Sequence, residues 1–270
     1  MKATMKWSAF ALAACLPMLA SAHKAFLVPS TTVLSEGSDA WVTFDAAASN
    51  DLFNFNHRPL PLDNLVVTGP DGAKLSPQNV ARGELRSSFD LHLEKPGTYR
   101  VALANSGLFA NYVDAKGEKK RWRGTAEKLG EIPADAKNVE IAQSDSSNVS
   151  FVTLGKPSDG VLKPTGNGLE LVPVTHPNDL YAGEAAKFRF LLDGKPAKDL
   201  KVTVLAGGTR YRSKQDEMAL TTDANGEFSI TWPAPGMYWL NAALEAQKPT
   251  VAKAKERRLG YTATFEVLPQ

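Results

Sequence analysis

The chain has 270 residues, 43% hydrophobic and 22% charged, enough for two domains of ordinary size, each with its own core. Basic residues number 31 and acidic residues 29. Setting aside Lys2 and Lys6, which fall in an N-terminal leader, leaves 29 against 29, and that balance gives no general attraction to nucleic acid or to an anionic surface.

Residues 1–22 read as a secretory signal. Lys2 and Lys6 supply a charged start, Ala9 to Leu16 an apolar middle, and Ala20-Ser21-Ala22 an A-x-A cleavage site. This predicts export to the periplasm. Cleavage after Ala22 makes His23 the first residue, with a free α-amine and an imidazole on one residue. Cleavage after Ala20 would leave Ser21-Ala22-His23, whose amine, amides and imidazole suit Cu(II) or Ni(II) in a plane. Ala20 is a better small residue for the −3 position than Met18, which favours the first cut. A competing reading takes Leu12-Ala13-Ala14-Cys15 as a lipoprotein box, with Cys15 as the anchor. Leu16 to Leu19 stay apolar where a lipoprotein turns polar, so export without an anchor is the expectation. Cys15 is the one cysteine, so the exported chain holds no disulfide and no thiolate. No later stretch approaches eighteen consecutive apolar residues, so no transmembrane span is expected after the leader.

Beyond the leader the chain reads as strands. Trp41 to Phe44 is rich in β-formers. Leu65 to Thr68 runs into the turn Gly69-Pro70-Asp71-Gly72. Phe89-Asp90-Leu91-His92-Leu93 alternates, which places Asp90 and His92 together on a solvent face. Pro96-Gly97-Thr98-Tyr99 then leads into Val101-Ala102-Leu103. Gly107 to Asn148 fits the pattern less well: it holds the charged turn Lys116 to Arg121 and a short helix over Ala126 to Gly130. It is either an elaborated hairpin of the first domain or a flap. Gly, Pro, Ser and Asp cluster over Gly155 to Gly168 and mark a boundary. Further strands follow at Ala186 to Leu192, Val202 to Leu205, Glu227 to Trp232, Trp239 to Asn241 and Tyr261 to Val267. Pro235-Gly236-Met237-Tyr238 repeats the earlier Pro-Gly-Thr-Tyr turn, so the halves look like copies. The predicted architecture is all-β, two tandem immunoglobulin-like β-sandwich domains over 23–160 and 165–270.

Catalytic patterns such as G-x-S-x-G and H-E-x-x-H are absent, as are a Walker loop and a dinucleotide fingerprint. No enzyme is expected. Asp223-Ala224-Asn225-Gly226 resembles a calcium loop but lacks its downstream glutamate, and reads as a hairpin turn. The four histidines are the imidazole donors. His23 anchors a predicted metal site through its amine and ring. His57, in the loop Phe53 to Pro59, or His176, beside the domain boundary in Thr175-His176-Pro177, completes it. His92 is set aside on its solvent face.

The segments Ala22 to Pro29, Lys95 to Tyr99, Thr175 to Gly183 and Thr222 to Phe228 resemble the NikM-like family. Its members carry the label of a periplasmic component of cobalt or nickel uptake systems, or otherwise of a domain of unknown function. The resemblance implies metal uptake together with a membrane metal transporter. The second half is also similar to transthyretin-like or carboxypeptidase-regulatory sandwiches, which are binding modules. The expected function is therefore periplasmic capture or uptake of one divalent ion: nickel, cobalt or copper. The alternatives are an accessory or adhesion module that binds a protein such as an outer-membrane receptor, and a copper enzyme built on a histidine brace.

Overall fold

The computed structural model describes residues 23–37 and 39–270. The leader, its cleavage site and Cys15 lie outside the described residues.

In the first half the strands are β1 (Lys24–Pro29), β2 (Val33–Leu34), β3 (Trp41–Ser49), β4 (Arg58–Pro59), β5 (Leu65–Thr68), β6 (Lys74–Leu75), β7 (Gln78–Arg82), β8 (Ser87–His92), β9 (Gly97–Val113), β10 (Lys119–Gly124) and β11 (Lys137–Leu154). In the second half they are β12 (Leu169–Pro173), β13 (Ala185–Leu192), β14 (Lys195–Pro196), β15 (Lys201–Ala206), β16 (Met218–Thr221), β17 (Glu227–Thr231), β18 (Gly236–Gln247) and β19 (Glu256–Val267). The helices among the described residues are short 3-10 turns, one of them over Ala126–Glu131. Among the described residues the fold is all-β with sheets packed as sandwiches, as the alternating patterns predict.

The two halves are joined more closely than a tandem arrangement implies. One sheet runs β1-β3-β8-β7, with β4 also on β3. A second runs β12-β13-β14, with β17 on β13. Between them lies a ten-stranded sheet that draws strands from both halves: it runs β16-β15-β18-β19-β11-β9-β5-β6, with β10 on β9 and β2 on β11. The seam is β11 against β19, a parallel pairing that matches Ala142 with Glu256 and continues to Ser150 with Thr264. Parallel strands need a long crossover. Here the crossover is most of the second domain, so no local pattern announces it.

Alternation along β9 and β11 shows how one sheet serves two cores. Tyr99, Val101 and Leu103, with Val152 and Leu154, pack on Val42, Phe44, Phe89 and Leu91 of the first sheet. The residues between them, Ala102 with Val149 and Phe151, join Leu171, Phe188, Phe190, Phe228 and Phe265 in the second core. Adjacent residues such as Val101 and Ala102 point to opposite faces, so the small sheets cover opposite sides of the shared one.

The repeated Pro-Gly turn is also a structural repeat. The Tyr99 hydroxyl donates to the carbonyl of Lys95, four residues back, at 2.7 Å. The Tyr238 hydroxyl donates to the carbonyl of Ala234, again four back, at 2.8 Å. Each ties a strand start to the loop before it, in the manner of a tyrosine corner. Gly107 to Asn148 is an elaborated hairpin: β9 and β11 stay paired from Lys137 opposite Val113 to Leu154 opposite Gly97, and β10 adds an edge strand. The Asp223 carboxylate accepts from the backbone N–H groups of Asn225 and Glu227, both at 2.8 Å. It caps a turn, which agrees with the hairpin reading of that segment.

Candidate metal centre

A third apolar cluster holds the candidate site in place. Phe26 and Ala47, from β1 and β3, pack with Leu52, and Leu205 and Trp239 of the second half close over them. The loop between β3 and β4 is pinned at several points. The Leu52 N–H donates to Thr209 Oγ1 at 2.9 Å, and the Asn56 amide bridges the Asn50 N–H and the Asp51 carboxylate. Phe53 meets Phe26 edge-on at 5.1 Å between ring centres.

Strand register brings two histidines together. β1 and β4 both pair with β3: Lys24 lies opposite Ser49, and Arg58 lies opposite Ala48. His23 precedes Lys24 and His57 precedes Arg58, so each stands at the end of a strand that flanks β3. Two strand spacings, about 10 Å between backbones, separate them, and their side chains close that gap. The imidazole rings stack face to face, 3.5 Å between centroids and 3° from parallel. Both residues are exposed. The pKa of His57 is lowered, first by loss of solvation and then by the neighbouring His23 and Arg58. Such a ring keeps a lone pair free for a metal to lower pH.

Ring nitrogen lone pairs lie in the ring planes, so in a stacked pair they run side by side. A shared ion requires the rings to fan open about their Cβ atoms. Among the described residues no group of three or more His, Cys, Asp or Glu side chains gathers at metal-binding distance. The donor set at this place is thus two imidazoles, with the α-amine of His23 wherever that residue begins the chain. Nitrogen donors of this kind suit copper, nickel, zinc and iron.

His176 is not part of this pair. Its Nε2 lies 2.9 Å from Thr98 Oγ1, and its Nδ1 accepts from the Asn178 N–H at 3.2 Å. Nδ1 is therefore the acceptor and Nε2 carries the proton. The network continues from Thr98 to Thr153 and on to the Asn178 amide, which donates to the Phe151 carbonyl. The Thr153 backbone N–H donates to the carbonyl of Thr32 at 2.8 Å, beyond the far end of β1. His23 and His176 thus stand at opposite ends of a six-residue strand, about 20 Å of extended chain. Through these bonds His176 ties the start of the second half to β9 and β11. His92 shares its outer face with Asp90, as its alternation predicts. It stacks on Trp41 at 4.6 Å, with Asp39 at 3.5 Å and Glu94 at 3.6 Å on its two nitrogens.

The His176 network predicts a pH dependence. Burial pushes the His176 pKa below the ordinary value, while Asp159, the Ser158 backbone and Asp179 pull it back up. The unfolded chain then takes up the proton first, near pH 6.5. The junction keeps its full stability above that pH and loses it as pH falls toward the folded pKa. Thermal unfolding from pH 7.5 to 5.5 should show a steeper decline for the wild type than for His176→Gln. Equal slopes would remove His176 from the account.

A family model described as a domain of unknown function, DUF4198, matches residues 20–246. No curated protein matches the chain. Among solved structures, the D0-D1 domain of intimin is similar at 13% identity over 90% of this chain and 97% of that one, with a TM-score of 0.22. The Yersinia pseudotuberculosis adhesin InvE is similar at 13% identity, over 91% of this chain and 60% of the adhesin, with the same TM-score. The trypsin-activated alpha-2-macroglobulin of Escherichia coli is similar at 14% identity, over 90% of this chain and 16% of that one, also at 0.22.

Proposed function

The chain belongs to the DUF4198 family, a domain of unknown function, and from that premise we propose that it is a periplasmic protein that binds a divalent transition-metal ion for capture or uptake. The ion, copper, nickel or cobalt, is held by the α-amine and ring of His23 and by the ring of His57. The observation that carries this reading is the meeting of two exposed imidazoles from positions 34 residues apart, on a loop anchored from several sides. Amine and ring on one residue are held at chelating distance by covalent geometry, so little ordering entropy is lost there. Both rings face solvent, which leaves coordination positions open for an ion to pass to a membrane transporter. Affinity should follow the general order for nitrogen donors, with Cu(II) above Ni(II) and Ni(II) above Co(II).

Calorimetric titration of the chain beginning at His23 tests this. One ion per chain is expected. His57→Ala should weaken Cu(II) binding at least tenfold, and acetylation of the amine should weaken it further. His176→Ala should leave binding unchanged. Affinity should fall with pH as the amine and imidazoles protonate, from about pH 8 downward. The ring stack should also open on binding, which the proton shifts of His23 and His57 would register. Equal affinity in wild type and His57→Ala would sink the proposal and favour an accessory module that binds a protein partner.

A further inference from the structure

A groove whose lining residues do not include His23 or His57 carries an excess of positive charge. It lies between the link joining the halves and the ten-stranded sheet, encloses about 190 Å³, and is lined by Thr68, Lys74, Arg100, Lys163, Thr165 and Tyr261 among others. It adjoins a wider cleft of about 580 Å³, and Arg100, Thr165, Glu170 and Tyr261 line both. Arg100 projects from β9 on the face it shares with Ala102, between Thr68 and Phe151 on the neighbouring strands.

One carboxylate, Glu170, lines the groove with Lys74, Arg100 and Lys163, so it offsets one of three positive charges, and its oxygens are turned to neutral donors. Glu170 accepts from the Thr165 N–H at 2.7 Å, the Thr165 hydroxyl at 2.9 Å and the Gly166 N–H at 2.7 Å. Asp145 and Asp193 both take the buried guanidinium of Arg257, at 2.6 and 2.8 Å. Arg100, Lys74 and Lys163 appear in none of the ion pairs among the described residues. Lys74 Nζ donates to Thr68 Oγ1 at 2.7 Å, and this holds its charge at the rim. Tyr261 lines the groove beside Arg100, and burial pushes its pKa up to about 12. At neutral pH the phenol is therefore uncharged and leaves the guanidinium charge standing.

A half-buried guanidinium that makes no ion pair, flanked by two ammonium groups and by hydroxyls, matches one ligand chemistry. We propose that this groove binds a small oxyanion, the carboxylate or phosphate group of an organic ligand, with Arg100 as the forked donor and Lys74 and Lys163 as rim charges. The fork of Arg100 suits two oxygens of one planar or tetrahedral anion. The adjoining cleft, with Ser106, Asn105, Ser146 and Ser147 on its walls, offers hydroxyls and amides to the uncharged part of such a ligand. The site is independent of His23 and His57.

The test uses the chain beginning at His23, freed of metal with a chelator that is then removed. Inorganic phosphate and citrate are titrated separately at low ionic strength, with chloride as the control for charge screening. Saturable one-site binding of at least one probe is expected, and which probe binds more tightly tells phosphate from carboxylate. Arg100→Gln should weaken it tenfold or more. Lys74→Gln and Lys163→Gln should each weaken it about threefold, as expected for screened rim charges, and His57→Ala should leave it unchanged. Absence of saturable binding to either probe, or equal affinity in Arg100→Gln, overturns the proposal. Should Arg100→Gln fail to fold, the two exposed lysine variants decide: unchanged affinity in both also overturns it.

Discussion

Trp239→Ala is expected to lower the unfolding free energy by about 3–5 kcal/mol, the range for removing a buried aromatic ring. Trp239 is 8% exposed and packs with Leu205 of its own half against Phe26, Ala47 and Leu52 of the other. Its indole N–H donates to the Ala25 carbonyl at 2.9 Å. Truncation leaves a cavity at the contact between halves and an unpaired carbonyl on β1. Ala25 is two residues from His23, and Leu52 opens the loop that ends at His57. Metal affinity should therefore fall in the same variant although no donor atom is touched. Trp239→Phe keeps much of the packing and loses the hydrogen bond, so its cost should be about 1–2 kcal/mol. Chemical denaturation measures both, and a loss below about 1 kcal/mol for the alanine variant would show that the halves do not depend on this ring.

Gly226→Ala is the second large effect, expected at about 3 kcal/mol or more. Gly226 sits at φ +74° in the turn before β17, a region that costs other residues roughly 1–3 kcal/mol. An added Cβ would also strike the Phe190 carbonyl oxygen and come within 3.0 Å of the Ala197 nitrogen. Both are backbone atoms held by hydrogen bonds: Phe190 N–H to the Gly226 carbonyl at 2.8 Å, and Ala197 N–H to the Phe190 carbonyl at 2.9 Å. Neither can move without breaking pairing around β13, which lies in the second core. Gly72→Ala is the control. Gly72 has a similar φ of +82° but open space about it, so its cost should stay within about 1–2 kcal/mol. Similar losses in the two variants would show that backbone strain alone, and not the collision, governs position 226.

The strands were legible because period-two alternation and Gly, Pro, Asn and Asp turns are local signals. Phe89 to Leu93, Ala186 to Leu192 and Tyr261 to Val267 lie in strands largely where their patterns put them. The two Pro-Gly turns announced a repeat, and Tyr99 and Tyr238 make the same bond in each copy. Histidines at 23 and 57 were candidates because one follows a cleavage motif and the other occupies a loop, and both are properties of neighbouring residues alone.

Tertiary structure decided the rest. The parallel seam between β11 and β19 joins residues more than a hundred positions apart, and no local alternation encodes a partner at that distance. Which histidine stands beside His23 turned on register. β1 and β4 flank β3 and carry His23 and His57 to one end of it, whereas the Thr98 hydroxyl holds His176 at the junction between the halves. The charge on Arg100 was invisible for the same reason. A balanced sequence says nothing about which carboxylates are already bound to backbone N–H groups and to another arginine, and only packing brings Glu170, Asp145 and Asp193 to those partners.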